Sequence, residues 1–159
     1  VIGISSVTPG SLSKLEERKS TRVYAIAIPR VFAVFFNVTK NAALAYDEVR
    51  EALNYATDRE AIVREALAGR GQPAYSALLP FMTGYAPDLN LPYFDLDKAN
   101  ALLDEKGWRR GEDEVRAKDG TVLQIEIAVP EWTELVKTAD IFWARFLLCW
   151  YFWHNFVYE

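Results

Sequence analysis

A chain of 159 residues, 51% hydrophobic and 25% charged, is long enough to bury the core of one domain. Its net charge is −4, and Arg109-Arg110 is followed at once by Glu112, Asp113 and Glu114, so the basic stripe that nucleic-acid binding needs is missing. The single cysteine, Cys149, excludes an internal disulfide, and with the single histidine, His154, it is too little to build a metal site.

The first residues, Val1-Ile2-Gly3-Ile4-Ser5, have neither the basic start nor the long apolar stretch of a signal peptide. Ser11 is expected to cap a short helix running to Arg18, with Leu12 and Leu15 on its apolar face. Residues 22–28 read as a strand stopped by Pro29. Residues 31–38 read as a second strand, apolar on both faces as far as Asn37, which predicts burial. Asp47 is expected to cap the next helix, turning Val49, Leu53 and Ala56 inward, and Asp58 a further one carrying Ile62, Val63, Ala66 and Leu67. Gly69 stands where a helix-ending glycine belongs.

Residues 71–92 are rich in Gly and Pro and predict a long loop. Asp95 or Asp97 opens a helix that buries Ala99, Leu102 and Leu103 and stops at Gly107. Asp119-Gly120 is a hairpin signal joining a short strand near Val115 to one over 122–129. In that second strand Leu123, Ile125, Ile127 and Val129 share a face, opposite Val122, Gln124, Glu126 and Ala128. Thr133 is expected to cap a helix reaching at least Arg145. Strands alternating with helices give an α/β fold, a mixed sheet layered with helices. The run from Phe146 to Trp153 has eight consecutive apolar residues, too few to span a membrane, and is expected to be buried.

Catalytic sets are missing. Cys149 and His154 are five residues apart, a spacing that turns the two side chains away from each other on a helix. Gly69-Arg70-Gly71 follows a helix rather than a strand and has no Lys-Ser/Thr after it, so it reads as a cap and turn rather than a phosphate loop. No carboxylate pair sits in an apolar setting that would drive the two pKa values apart. The chain points away from an enzyme and implies no cofactor.

Three segments, taken together, resemble the family 5 solute-binding proteins, which include dipeptide-, oligopeptide- and nickel-binding proteins of ABC importers. The first is Asp47-Glu48-Val49-Arg50-Glu51-Ala52-Leu53-Asn54-Tyr55-Ala56-Thr57-Asp58-Arg59-Glu60-Ala61-Ile62-Val63. The second is Gly71-Gln72-Pro73-Ala74, running on to Leu79-Pro80. The third extends from Tyr93-Phe94-Asp95 through Lys98-Ala99 to Gly107-Trp108. Their order and spacing agree with the family from about Leu12 to Asp140. The run from Phe146 to Trp153 departs from it, having neither a glycine turn nor a polar face.

The resemblance implies a partial lobe of a two-lobed, periplasmic-binding-protein-like fold that closes on its solute. Residues 1–24 would end the first lobe and residues 25–159 would form part of the second, with the crossing near Ile28-Pro29-Arg30. The implied ligand is a small solute, foremost an oligopeptide. The implied partners are an ABC-transporter permease and the missing remainder of the two-lobed protein. The implied location is periplasmic or extracellular, with a lipoprotein anchor as one form. The alternative reading is a protein-interaction or scaffold module with no small-molecule ligand, which a large exposed apolar patch would favour.

Candidate ligand-binding residues lie in the turn Pro130-Glu131-Trp132-Thr133, between a strand's carboxyl end and a helix's amino end. Ligands of open α/β sheets gather at such places. Trp132 offers a flat apolar platform, Thr133 a hydroxyl and Glu131 a carboxylate for an amino group. Phe36 and Asn37 are added by the resemblance, near the floor of the cleft.

Overall fold

The computed structural model describes residues 7, 9–24, 26, 28–87, 92–149 and 156–158. Helix α1 (Pro9–Glu16) begins at a proline, whose missing N–H costs nothing in a first turn. Ser11 therefore lies inside the helix and not at its cap. Beyond α1, the described residues as far as Asn41 form turns and extended chain without strand pairing. This corrects the strand expected over 31–38, and the one expected over 22–28 as far as residues 22–24, 26 and 28 are concerned, residues 25 and 27 lying outside the described residues. An extended segment becomes a strand only where a second backbone lies about 4.7–4.9 Å away to exchange hydrogen bonds. No described residue offers one here. Arg30 N–H turns back to the Ile28 carbonyl at 2.8 Å. Phe35 is 91% exposed, and Val31, Phe32, Val34 and Val38 also face solvent; Phe36 is half-buried against the core.

A 3-10 turn (Ala43–Ala45) leads into helix α2 (Asp47–Tyr55), and together they bury Ala43, Leu44, Val49, Ala52 and Leu53. Tyr46 holds the N-cap position of α2, so Asp47 is the first helical residue and not the cap. Its charge pairs with Arg50 and favours the positive end of the helix. Asp58 does cap: its Oδ1 accepts from Ala61 N–H at 2.8 Å. Helix α3 (Arg59–Ala61) then widens into a π-turn (Ile62–Ala66). Asp95 caps helix α4 (Leu96–Glu105) by accepting from Lys98 N–H at 2.8 Å. Gly107, at φ +85°, lets the chain reverse, and Trp108 N–H donates to the Leu103 carbonyl at 2.9 Å. Helix α4 lies along α2, and Ala99, Leu103 and Trp108 join the cluster built on Val49 and Leu53.

Strands β1 (Arg109–Arg110), β2 (Arg116–Lys118) and β3 (Thr121–Val122) form an antiparallel sheet in that order. Lys118 pairs with Thr121 across Asp119-Gly120, whose φ values of +50° and +78° have the sign a type I′ turn requires at both positions. After Val122 the chain bends. Gln124 N–H donates back to the Val122 carbonyl at 3.0 Å, and the Gln124 carbonyl accepts from the Asn41 side chain at 2.7 Å instead of from a strand. Strand β4 (Ile127–Val129) pairs in parallel with β5 (Phe156–Tyr158). The expected strand over 122–129 is thus divided between two sheets, and a single mixed sheet is not formed. The apolar alternation holds all the same: Leu123, Ile125 and Val129 are buried, and Val122, Gln124, Glu126 and Ala128 are exposed.

Helix α5 (Thr133–Cys149) closes the core with Phe142, Trp143 and Phe146. Residues 147–149 complete α5, and the rest of the apolar run, residues 150–153, lies outside the described residues, as do His154, Asn155 and residues 1–6 and 88–91.

Leu53, Ile125, Ile127, Phe142, Trp143 and Phe146 line a small void in this core. Truncating Leu53 would enlarge this void, so Leu53→Ala is expected to cost about 2–5 kcal/mol in urea unfolding. Leu102 is only half-buried, and Leu102→Ala is expected to cost about 1 kcal/mol. Equal losses at the two positions would mean that the packing of α4 is misassigned.

Candidate functional site

The turn between β4 and α5 places its side chains in solvent. Trp132 N–H donates to the Pro130 carbonyl at 2.7 Å, which fixes a tight bend directly after the strand. The Trp132 carbonyl accepts from Leu135 and Val136 N–H, both at 2.9 Å. Trp132, and not Thr133, therefore occupies the N-cap position, and Thr133 is the first residue of α5. The indole of Trp132 is 61% exposed, a large aromatic surface left open at the amino end of a 17-residue helix.

Glu131 and Thr133 line an open depression together with Val136 and Lys137. Sequence reasoning missed the last two. The available signal was helical spacing, since positions three and four residues beyond Thr133 must share its face. The depression thus carries a carboxylate, a hydroxyl, an ammonium and an apolar floor, with the Trp132 ring adjoining in sequence.

Phe36 and Asn37 have other occupations. Phe36 packs on the core cluster. The Asn37 side-chain carbonyl accepts from Thr39 Oγ1 at 2.8 Å and from Lys40 N–H at 3.2 Å, building the turn over 37–41. Asn41 ties that turn to Gln124, ahead of β4. The hydrogen bonds of Asn37 therefore go to its own turn and not to Glu131, Trp132 or Thr133.

Two further polar clusters lie elsewhere on the scaffold. Glu48 Oε1 accepts from Lys118 Nζ at 2.7 Å and from Trp108 Nε1 at 3.4 Å. Burial works to raise the Glu48 carboxyl, but the hydrogen bonds from Lys118, its own backbone and Trp108 outweigh burial and hold it below the usual carboxylate range. At the neck of the loop over 71–92, the Arg59 guanidinium lies 5.4 Å from the Tyr75 ring centre and donates to the Pro92 carbonyl at 3.3 Å. Tyr75 meets Tyr93 at 5.1 Å between ring centres. Burial, then the Glu60 carboxylate, pushes the Tyr75 hydroxyl up. Among the described residues no group of three or more His, Cys, Asp or Glu is placed to hold a metal ion. Nor is any helix among them long and apolar enough to cross a membrane.

The family model for bacterial extracellular solute-binding proteins, family 5 middle region, matches residues 2–145. The dipeptide-binding protein of Escherichia coli is 32% identical over 103 residues, covering 65% of this chain and 19% of that one. The oligopeptide-binding protein AppA of Bacillus subtilis is 38% identical over 84 residues, covering 51% and 16%. Among solved structures, NikZ from Campylobacter jejuni in complex with Ni(L-His) superposes with a TM-score of 0.66 at 29% identity, over 78% of this chain and 25% of that one. The oligopeptide-binding protein from Thermus thermophilus complexed with a pentapeptide gives a TM-score of 0.59 at 28% identity, over 76% and 21%. The chain therefore spans between a sixth and a quarter of the length of these relatives. With a match over nearly its whole length, the chain belongs to the family 5 bacterial extracellular solute-binding proteins.

Proposed function

We propose that this chain is part of a two-lobed extracytoplasmic receptor that binds a small solute, foremost an oligopeptide, and delivers it to an ABC-transporter permease. Residues 1–24 end the first lobe, and residues 25–159 form part of the second. The receptor works in the periplasm or at the outer cell surface, with a lipoprotein anchor as one form, and it carries out no reaction. The observation that carries this reading is the family match over residues 2–145, supported by structural likeness to receptors crystallised with Ni(L-His) and with a pentapeptide.

In this reading the turn after β4 faces the solute. An oligopeptide has an amino end, a carboxyl end and apolar side chains. Glu131 suits the first, Lys137 and the amino end of α5 suit the second, and the Trp132 ring suits the third. Phe36 and Asn37 stand in a supporting place. The exposed apolar residues between Val23 and Val38 are also what a protein-contact module would present. The receptor reading accounts for them as well, because a chain a quarter of its relatives' length leaves such surface for the remaining segments to cover.

The test restores the segment to a complete receptor and changes Trp132 to Ala. Calorimetry with a tripeptide should show a loss of about 1–2 kcal/mol, the cost of removing an aromatic anchor. An unchanged affinity with intact circular dichroism would remove this turn from the site.

A further inference from the structure

We propose that Glu16 and Arg70 form an ionic latch across the crossing between the two lobes, biasing which lobe arrangement the ligand-free receptor adopts; this rests on the two-lobed reading above, with residues 1–24 on the first lobe. Arg70 Nη2 donates to Glu16 Oε1 at 2.9 Å, joining residues 54 positions apart. Glu16 is the last residue of α1, ahead of the expected crossing at Ile28-Pro29-Arg30, and Arg70 lies well beyond it. Between the two, the described residues from Arg18 to Asn41 are in no helix or strand, so no regular element fixes the distance between the two charges.

Arg70 is held from its own side. Ala68 and Gly69 take φ values of +50° and +73°, Gly69 N–H donates to the Val63 carbonyl at 2.8 Å, and Arg70 N–H to the Leu67 carbonyl at 2.9 Å. The guanidinium is thus carried on a formed turn at the end of the π-turn, while Glu16 arrives on the other side of the irregular stretch. Both side chains are a little under half exposed, so the pair is weak by itself and is screened by salt. A weak pair suffices here, because two lobe arrangements that differ by little free energy change population in direct response to a small differential interaction. A contact that stays together during rigid folding would have no such effect; one that spans the moving boundary does.

The test uses the complete receptor with one fluorescent dye on each lobe, as wild type, Glu16→Arg, Arg70→Glu and the exchanged double variant. In about 10 mM salt each single reversal should shift the ratio of the two arrangements up to about fivefold, read as a change in energy transfer without ligand. The double variant should return toward wild type, and all four should converge in about 1 M salt, where the screening length falls to about 3 Å. Single variants that match wild type, or a double variant that sums the two single shifts instead of cancelling them, would overturn the latch. Trialanine added to wild type separates this from the reading beneath it. A shift with trialanine but no difference among the variants removes only the latch. No shift in wild type removes the peptide-closing receptor, and the variants' ligand-free signals still decide the latch.

Discussion

Trp108→Ala is expected to lower the stability of the folded chain by about 3–5 kcal/mol, the range for a fully buried large aromatic. The side chain is 0% exposed. It lies where the reversal after α4 brings the chain back over α2, with its ring edge-on to Tyr46 at 5.2 Å between centres. Truncation would open a cavity at the centre of the cluster that joins α2, α4 and the strands. It would also remove the Nε1 donor from Glu48, leaving that carboxylate to Lys118 and its own backbone N–H. Urea unfolding measures the loss. Trp132→Ala is the matching control: that ring is 61% exposed, and its truncation should cost under about 0.5 kcal/mol. Comparable losses at the two tryptophans would mean that Trp108 is not in the core or that Trp132 is not on the surface.

The contrast between these two tryptophans shows what could be read from the residues. Trp108 follows a glycine that ends a helix, and a chain leaving such a cap commonly packs back on the helix. The caps at Asp58 and Asp95 and the turn at Asp119-Gly120 are likewise local chemistry, settled by a few neighbouring residues. Residues 31–38 failed as a strand for the opposite reason. Their apolar pattern is compatible with a buried strand, but pairing depends on another segment, and no pattern within eight residues supplies one. Residues 122–129 show both sides at once. Burial alternates as the period of two demands, whereas the hydrogen-bonded ladder breaks where Asn41 takes the Gln124 carbonyl. For the candidate site, the turn after β4 was legible because Pro130 and the apolar run before it mark the end of a strand, whereas the exposure of Trp132 was not, since a tryptophan there could equally cover the edge of the core. That Phe36 packs on the core was not legible either, since its partners are distant in sequence, whereas Asn37 spends its side chain on Thr39 and Lys40, a local turn that was overlooked.

Arg116 is hard to reach by sequence reading, and its removal should also be strongly damaging. A charged side chain in a short strand reads as a solvent-facing position, yet Arg116 is 2% exposed. Its Nη1 donates to Asp104 Oδ1 at 2.5 Å and to the Trp108 carbonyl at 2.7 Å, and its Nη2 donates to Asn100 Oδ1 at 3.0 Å. One guanidinium thus joins β2 to both the length and the end of α4, which only a planar fork of donors can do. Arg116→Ala would leave the Trp108 carbonyl without this donor inside the protein. Asp104 is 54% exposed and can turn to water, so the expected cost is about 3 kcal/mol, at the bottom of the range for breaking a buried charge pair. Arg116→Lys should recover less than half of that, because one ammonium cannot reach all three acceptors. The same contact sets an acid signature. The Arg116 hydrogen bond holds Asp104 below the usual carboxylate range against the opposing effect of burial. A depressed folded pKa contributes stability that is fully present above the unfolded value of about 3.9 and is lost as pH falls through the folded one. Unfolding measured from pH 6 downward should therefore show a stability loss below about pH 4 that is smaller both in Asp104→Asn, where the titrating carboxyl is gone, and in Arg116→Ala, where its main partner is gone. An acid limb of the same steepness in wild type and in both variants would mean that Arg116 and Asp104 are not paired in the folded protein.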